Sequence, residues 1–234
     1  MPDAEGNPAD EAEARAILHS GAGTQLRNAA GNYVVPLFWG QVLTDGQRRV
    51  LHNGSAFFLR VEGPTLLVTA AHVIRQLQED RREHGEGVTS QLMNVGFDPL
   101  PTIIDIDDQL DIATCSVPEG LPARVGKWVY QRQADRWPPP PPTQGRGLFF
   151  AGYPGIYRDD PGADAISFGM YGGLSTATSV TDRDIVSQLD REHAEPLPGL
   201  DPPPLNAWLG GMSGAPGWTL TQVGWRLAGV LHQY

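Results

Sequence analysis

The sequence predicts an all-β fold, and three observations carry that expectation. Twenty-eight glycines and 21 prolines among 234 residues suit many short strands joined by many turns. Apolar runs of strand length are separated by turn sequences: Ser55 to Val61 and Thr65 to Ala70 flank Glu62-Gly63-Pro64, a hairpin signal. The length allows a large core, as one all-β unit or as two packed halves.

The elements follow in order. Met1 to Asn7 is expected to be disordered, and Asp10 to His19 to form a short helix with Asp10 as its N-cap. Its alanines and leucine bury little, which suits a solvated leader, with a docking or tethering segment as the alternative. Tyr33 to Trp39 begins the β region, and Pro36 places it at an edge or a bend. After the hairpin comes His72, then a charged surface helix over Ile74 to Arg82, ended by the glycines of Glu83 to Gly87. Ile112 to Val117 reads as a strand. Pro118 to Pro142 connects two halves, with a strand at Lys127 to Tyr130 and a stiff polyproline stretch, Pro138 to Pro142, after Trp137. That stretch reads as a rigid surface loop, or else as a recognition motif. Gly147 to Gly152 opens the second half, Tyr171 to Val180 is a strand pair or one long strand, Asp201 to Pro204 is a rigid approach, and Arg226 to His232 is a final strand.

Charge and cysteine content exclude several classes. Seventeen basic against 27 acidic residues, a net of −10, argue against a nucleic-acid surface or an anionic membrane as the main partner. The single Cys115 cannot make an internal disulfide, which places the protein in a reducing compartment, the cytoplasm. No segment reaches transmembrane length, and the first residues lack the basic region and apolar core of a signal peptide. The Asn53-Gly54-Ser55 sequon is therefore expected to be unmodified.

The stretch from Leu209 to Pro216, Leu-Gly-Gly-Met-Ser-Gly-Ala-Pro, carries the chemistry. A serine between glycines can sit on a tight turn whose amides point one way, with its hydroxyl exposed beside donors for a developing oxyanion. Such runs also form plain turns, so the decision rests on two earlier stretches. Thr69-Ala70-Ala71-His72-Val73 ends one apolar run and Asp111-Ile112-Ala113 opens another, so a base and an orienting carboxylate precede Ser213. An isolated Ala-His would read as a buried, hydrogen-bonded histidine, and this company reverses that. Asp105, Asp107 and Asp108 compete with Asp111. A carboxylate that holds an imidazole's tautomer needs an apolar neighbourhood. Asp111 has Leu110 and Ile112 beside it, whereas the other three are expected in a loop open to water. Their spacing does not match a calcium loop. Arg82 to Glu86 and its echo Arg191 to Glu195 lack two histidines at ligand spacing, so no metal is expected. Gly210 to Gly214 lacks the lysine of a phosphate-binding loop.

These three stretches, in this order, resemble the motifs of trypsin-like, chymotrypsin-fold serine proteases: Thr69-Ala70-Ala71-His72, Asp111-Ile112-Ala113, and Gly211-Met212-Ser213-Gly214-Ala215-Pro216. The likeness runs from about Val34 to the C-terminus; other hydrolases arrange the same triad in a different chain order. Tyr153-Pro154-Gly155 is a turn often seen in bacterial-type members. The resemblance implies two six-stranded antiparallel β-barrels with the active site between them. A leader would span 1–32, the barrel carrying His72 and Asp111 33–118, a proline-rich connection 119–146, and the barrel carrying Ser213 147–234. It also implies that His72 takes the Ser213 proton, that Asp111 orients the ring and that the Gly211 and Ser213 amides bind the oxyanion. No metal or cofactor is required, and the expected partners are a protein or peptide substrate and a regulatory protein.

Departures from the secreted members limit the carry-over. Met212 stands where those have an aspartate that pairs with a new N-terminus, so that activation route should be absent, leaving a constitutively formed site or control by a partner or a loop. Ala207 stands where members that cut after Arg or Lys have an aspartate, so a basic preference is unsupported. Trp208, Leu231 and His232 are expected to shape a narrower apolar pocket, or His232 to favour an acidic side chain. The chain stops at Tyr234, where relatives usually continue, so either the barrel is trimmed or more protein follows. The alternative of another class is a non-catalytic protein-binding module on the same fold, using its groove or the loop from Trp137 to Pro142.

Overall fold

The structure, a computed structural model, describes residues 16, 21–42, 48–131, 137–162, 165–187, 192, 202–221 and 224–232. The expected disorder of Met1 to Asn7, the helix over Asp10 to His19 apart from Ala16, and the echo Arg191 to Glu195 apart from Glu192 lie outside the described residues. Strands dominate, in antiparallel sheets. No helix among the described residues is long and apolar enough to cross a membrane.

The first sheet is organised around β2 (Arg48–Arg60), which pairs with β1 (Val34–Val42) on one side and β3 (Leu66–Thr69) on the other. Beyond β1 lie β4 (Val88–Leu92) and β5 (Val95–Gly96); beyond β3 lie β7 (Ile112–Ser116) and β6 (Ile103–Asp107). Side chains alternate across a strand. Ala56 and Phe58 therefore enter one core with Leu37, Trp39 and Leu67, while Phe57 and Leu59 enter a second with Val34 and Val68. Burial on both faces explains the unbroken apolar run Ala56-Phe57-Phe58-Leu59. The first core is closed by α2 (Ala71–His84), whose Val73, Ile74 and Leu77 recur at helical spacing and are buried.

Two expectations are corrected here. β1 is a central strand, paired with both β2 and β4, despite Pro36. The Pro36 carbonyl accepts from Met93 N–H at 3.4 Å, so its nitrogen faces the β4 side, where pairing has already ended at Leu37 and Leu92 and no ladder donor is needed. Asp105 and Asp107 lie in β6, paired to Thr114 and Ile112, rather than in a loop; only Asp108 sits in the following turn. The first sheet has eight strands, because β8 (Val129–Gln131) joins β2 in parallel, and among the described residues no pairing joins its ends, β5 and β6.

The second sheet runs β13 (Ile185–Ser187), β12 (Tyr171–Val180), β9 (Gly147–Gly152), β14 (Pro216–Thr221), β15 (Gly224–Val230). A separate hairpin pairs β10 (Arg158–Gly162) with β11 (Ala165–Phe168). β12 is one long strand. Phe149, Ala151, Trp218 and Leu227 of the second sheet meet Val34, Phe57 and Val68 of the first, so the second core belongs to both halves. Helix α1 (Gly23–Gly31) packs there through Ala30 and Leu26, and Trp137 covers the same core, while Pro138 to Pro142 adopt neither helix nor strand.

Candidate active site

His72 stands in the first turn of α2, directly after β3. The first amides of a helix lack intrahelical partners, and Ala70, at the N-cap, supplies no side-chain bond. Asp111 supplies the cap from a distance. Its carbonyl accepts from Ala71 N–H at 3.1 Å, one carboxylate oxygen from His72 N–H at 2.9 Å, and the other contacts His72 Nδ1 at 2.7 Å. Both oxygens are thus engaged with His72, and a negative charge at a helix N-terminus is favourable. With Nδ1 held, Nε2 is the ring nitrogen left to face a reactant, and half of the imidazole side chain is exposed. Asp108 turns away to pair with Arg75 at 2.9 Å, and Asp107 accepts from the Gln109 and Leu110 amides of the turn. Of these three carboxylates, Asp111 is the one in contact with His72.

Ser213 comes from the loop before β14 and is 4% exposed. Its carbonyl accepts from Ser55 N–H in β2 at 2.8 Å, and Gly214 N–H donates to Leu231 O at 2.8 Å. Gly214 has φ +90, and a Cβ there would overlap Ser55 O and Thr69 Oγ1 and crowd Ala70 N. Only glycine permits this approach, which brings the loop against the β3 end that leads into His72. Gly211 has φ +99, and a Cβ there would overlap Asn53 Nδ2 and Tyr153 O. Met212 N–H donates to Leu209 O at 3.2 Å, whereas the amides of Gly211 and Ser213 donate to no acceptor among the described residues. Ser213 Oγ and His72 Nε2 make no hydrogen bond to each other; such contacts are often formed only with substrate bound.

The turn after β9 braces this loop from the second half. Gly155 N–H donates to Gly210 O at 2.6 Å, Asn53 Nδ2 to Tyr153 O at 2.9 Å, and Lys127 Nζ to both Gly31 O at 2.7 Å and the Tyr153 hydroxyl at 3.0 Å. Burial pushes the Tyr153 phenol up to about 12, against the nearby charge of Arg27, and lowers Lys127. Asn53 and Ser55 belong to the stretch read from sequence as a glycosylation sequon, with Ser55 also opening a strand, and no bracing role is expected of either there. The signal for their role is that polar and small residues interrupt β2 just before its apolar run. Cys115 is buried and free, its thiol raised by burial to about 11, which makes it an inert core residue.

A cavity of about 460 Å³ lies beside the loop, lined by Leu209, Met212, Leu231, His232, Ile112 and Phe150 among others. Leu231 and His232, expected to shape a pocket, are among its lining residues. Ala207 and Trp208 are not among the residues lining this cavity: Ala207 is buried, and Trp208 is 82% exposed, with its ring beside Gly210. Among the described residues no cluster of three potential metal ligands occurs. No protein-family model matches the chain, and no curated protein matches it in sequence.

Proposed function

We propose that this protein is a serine endopeptidase acting through Ser213, His72 and Asp111, on a chymotrypsin-like pair of barrels whose halves are the two sheets. The observation that carries this reading is the 2.7 Å contact between Asp111 and His72 Nδ1 on the same strand end against which the Ser213 loop is packed. In the proposed reaction His72 Nε2 accepts the Ser213 proton as an Oγ–C bond forms to a peptide carbonyl. The Gly211 and Ser213 amides receive the oxyanion, each such donor contributing on the order of 3 kcal/mol of barrier lowering. Collapse breaks the C–N bond, and the proton passes from His72 to the leaving amine. Water then attacks the acyl carbon, giving its proton to the same ring, and as the ester C–O bond breaks that proton passes from His72 to Oγ, restoring Ser213.

The substrate class is a protein or peptide, bound with Leu231 and His232 beside its side chain, and a protein partner would control access. A reducing, cytoplasmic setting accords with a lone buried Cys115. One observation favours the non-catalytic module instead: the Ser213 to His72 hydrogen bond is not made, while Trp208 offers an exposed aromatic contact. Fluorophosphonate labelling followed by intact mass separates the two. The Ser213 Oγ–P bond forms, the P–F bond breaks, fluoride leaves and the proton goes to His72. One adduct on the parent and none on Ser213→Ala or His72→Ala is expected; labelling of Ser213→Ala equal to the parent's would sink the assignment.

A further inference from the structure

Ser55 is a buried hydroxyl next to an otherwise apolar run of β2; its carbonyl accepts from the Thr69 hydroxyl of β3 at 2.7 Å, and its hydroxyl and N–H are directed at the candidate site. Its Oγ donates to Gly211 O at 2.8 Å and accepts from Tyr153 N–H at 3.0 Å, while its own N–H donates to Ser213 O at 2.8 Å. A peptide is planar, with C=O and N–H pointing in opposite directions, so an anchored carbonyl aims the amide of its own peptide. Gly155 N–H anchors Gly210 O and thereby aims the Gly211 amide, and Ala215 N–H anchors Met212 O at 3.0 Å and thereby aims the Ser213 amide. The two peptides between and after these, whose carbonyls belong to Gly211 and Ser213, are both anchored by Ser55. Met212 itself is an apolar plug against Gly152 and carries no charge to hold the loop.

We propose that Ser55 is a positioning residue: by holding the Gly211 and Ser213 carbonyls, on both sides of Met212, it fixes the loop within which the Gly210 and Met212 carbonyls, anchored by Gly155 and Ala215, aim the Gly211 and Ser213 amides at a developing oxyanion. The site would then be preformed, with no activation contact at residue 212. This inference rests on the reading of Ser213 as nucleophile.

The test is the rate of fluorophosphonate labelling of the full chain across pH for the parent, Ser55→Ala and Ser90→Ala, with Tm measured on each. Ser90 is the matched control, a buried serine whose hydroxyl donates to Phe97 O at 2.7 Å in the first half. Ser55→Ala is expected to lower the plateau rate roughly 10- to 100-fold, with the pH of half-maximal rate unchanged, while Ser90→Ala lowers Tm comparably and labels like the parent. Parent-like labelling of Ser55→Ala overturns the positioning role and leaves Ser213 as nucleophile. Equal slowing of both variants overturns it in favour of general loosening, as does a shifted pH of half-maximal rate. An unlabelled parent overturns the nucleophile reading and this proposal with it. If Ser55→Ala does not fold, Ser55→Cys keeps the shape with a weak donor: an intermediate rate is expected, and a parent-like rate overturns the proposal.

Discussion

Asp111 occupies a left-handed backbone conformation, φ +52, which costs a residue with a side chain about 1 to 2 kcal/mol. Aspartate tolerates this better than most, and the conformation lets its carbonyl and both carboxylate oxygens reach the Ala71 to His72 segment together. Asp111→Asn, which keeps shape and backbone tolerance but removes the charge, is expected to slow labelling of Ser213 by roughly three to four orders of magnitude, the scale seen when a triad loses its orienting carboxylate. Asp108→Asn, which breaks only a solvent-exposed pair with Arg75, is expected to change it by about twofold or less. Similar losses in the two variants would undo the choice of Asp111.

Helix α2 shows what an element owes to distant partners. Its apolar spacing was legible, but the expected start at Ile74 falls three residues late, because no local side chain caps Ala71 and the capping group is Asp111. At its other end Asp80 is buried among Trp39 Nε1, His52 Nδ1 and Gln76 Nε2. Burial alone would raise this carboxyl, but the hydrogen bonds from those three groups outweigh it and hold it below its ordinary value of 3.8. A carboxyl lowered in the folded state adds stability above its unfolded value, and that stability is lost as pH falls through the folded one. The Tm difference between the parent and Asp80→Asn is therefore expected to be constant near neutrality and to shrink below about pH 4; a difference unchanged down to pH 2 would show that the charge contributes nothing.

At the scale of the whole molecule, the two sheets share an aromatic cluster. Trp218 is fully buried, with Tyr33 at 5.3 Å and Trp225 at 4.9 Å between ring centroids, and shares its core with Phe57 of the first sheet. Trp218→Ala is expected to cost about 3–5 kcal/mol. Trp218→Phe should cost much less, since the Nε1 it removes has no partner among the described residues. Urea unfolding followed by fluorescence and far-UV circular dichroism should give one coincident transition in the parent. Two separated transitions would mean that the shared core does not couple the halves.

What the sequence by itself determined is local in its physics. Strand lengths such as Gly147–Gly152 and Tyr171–Val180, the hairpin about Gly63 and the glycines around Ser213 follow from side-chain alternation and backbone freedom, which depend on a few neighbouring residues. The three motif stretches were equally legible, because each carries its residue types together. Only the tertiary structure decided how they are held. Ser55 reaches Gly211 and Tyr153, and Asn53 reaches Tyr153, across 98 or more residues of chain. Pro36 sits in a central strand because its neighbour strand ends in time, and Trp208, beside Gly210, is exposed rather than in the cavity lining. Such hydrogen bonds and approaches are set by which strands pack together, and nothing in a local window of sequence encodes their partners.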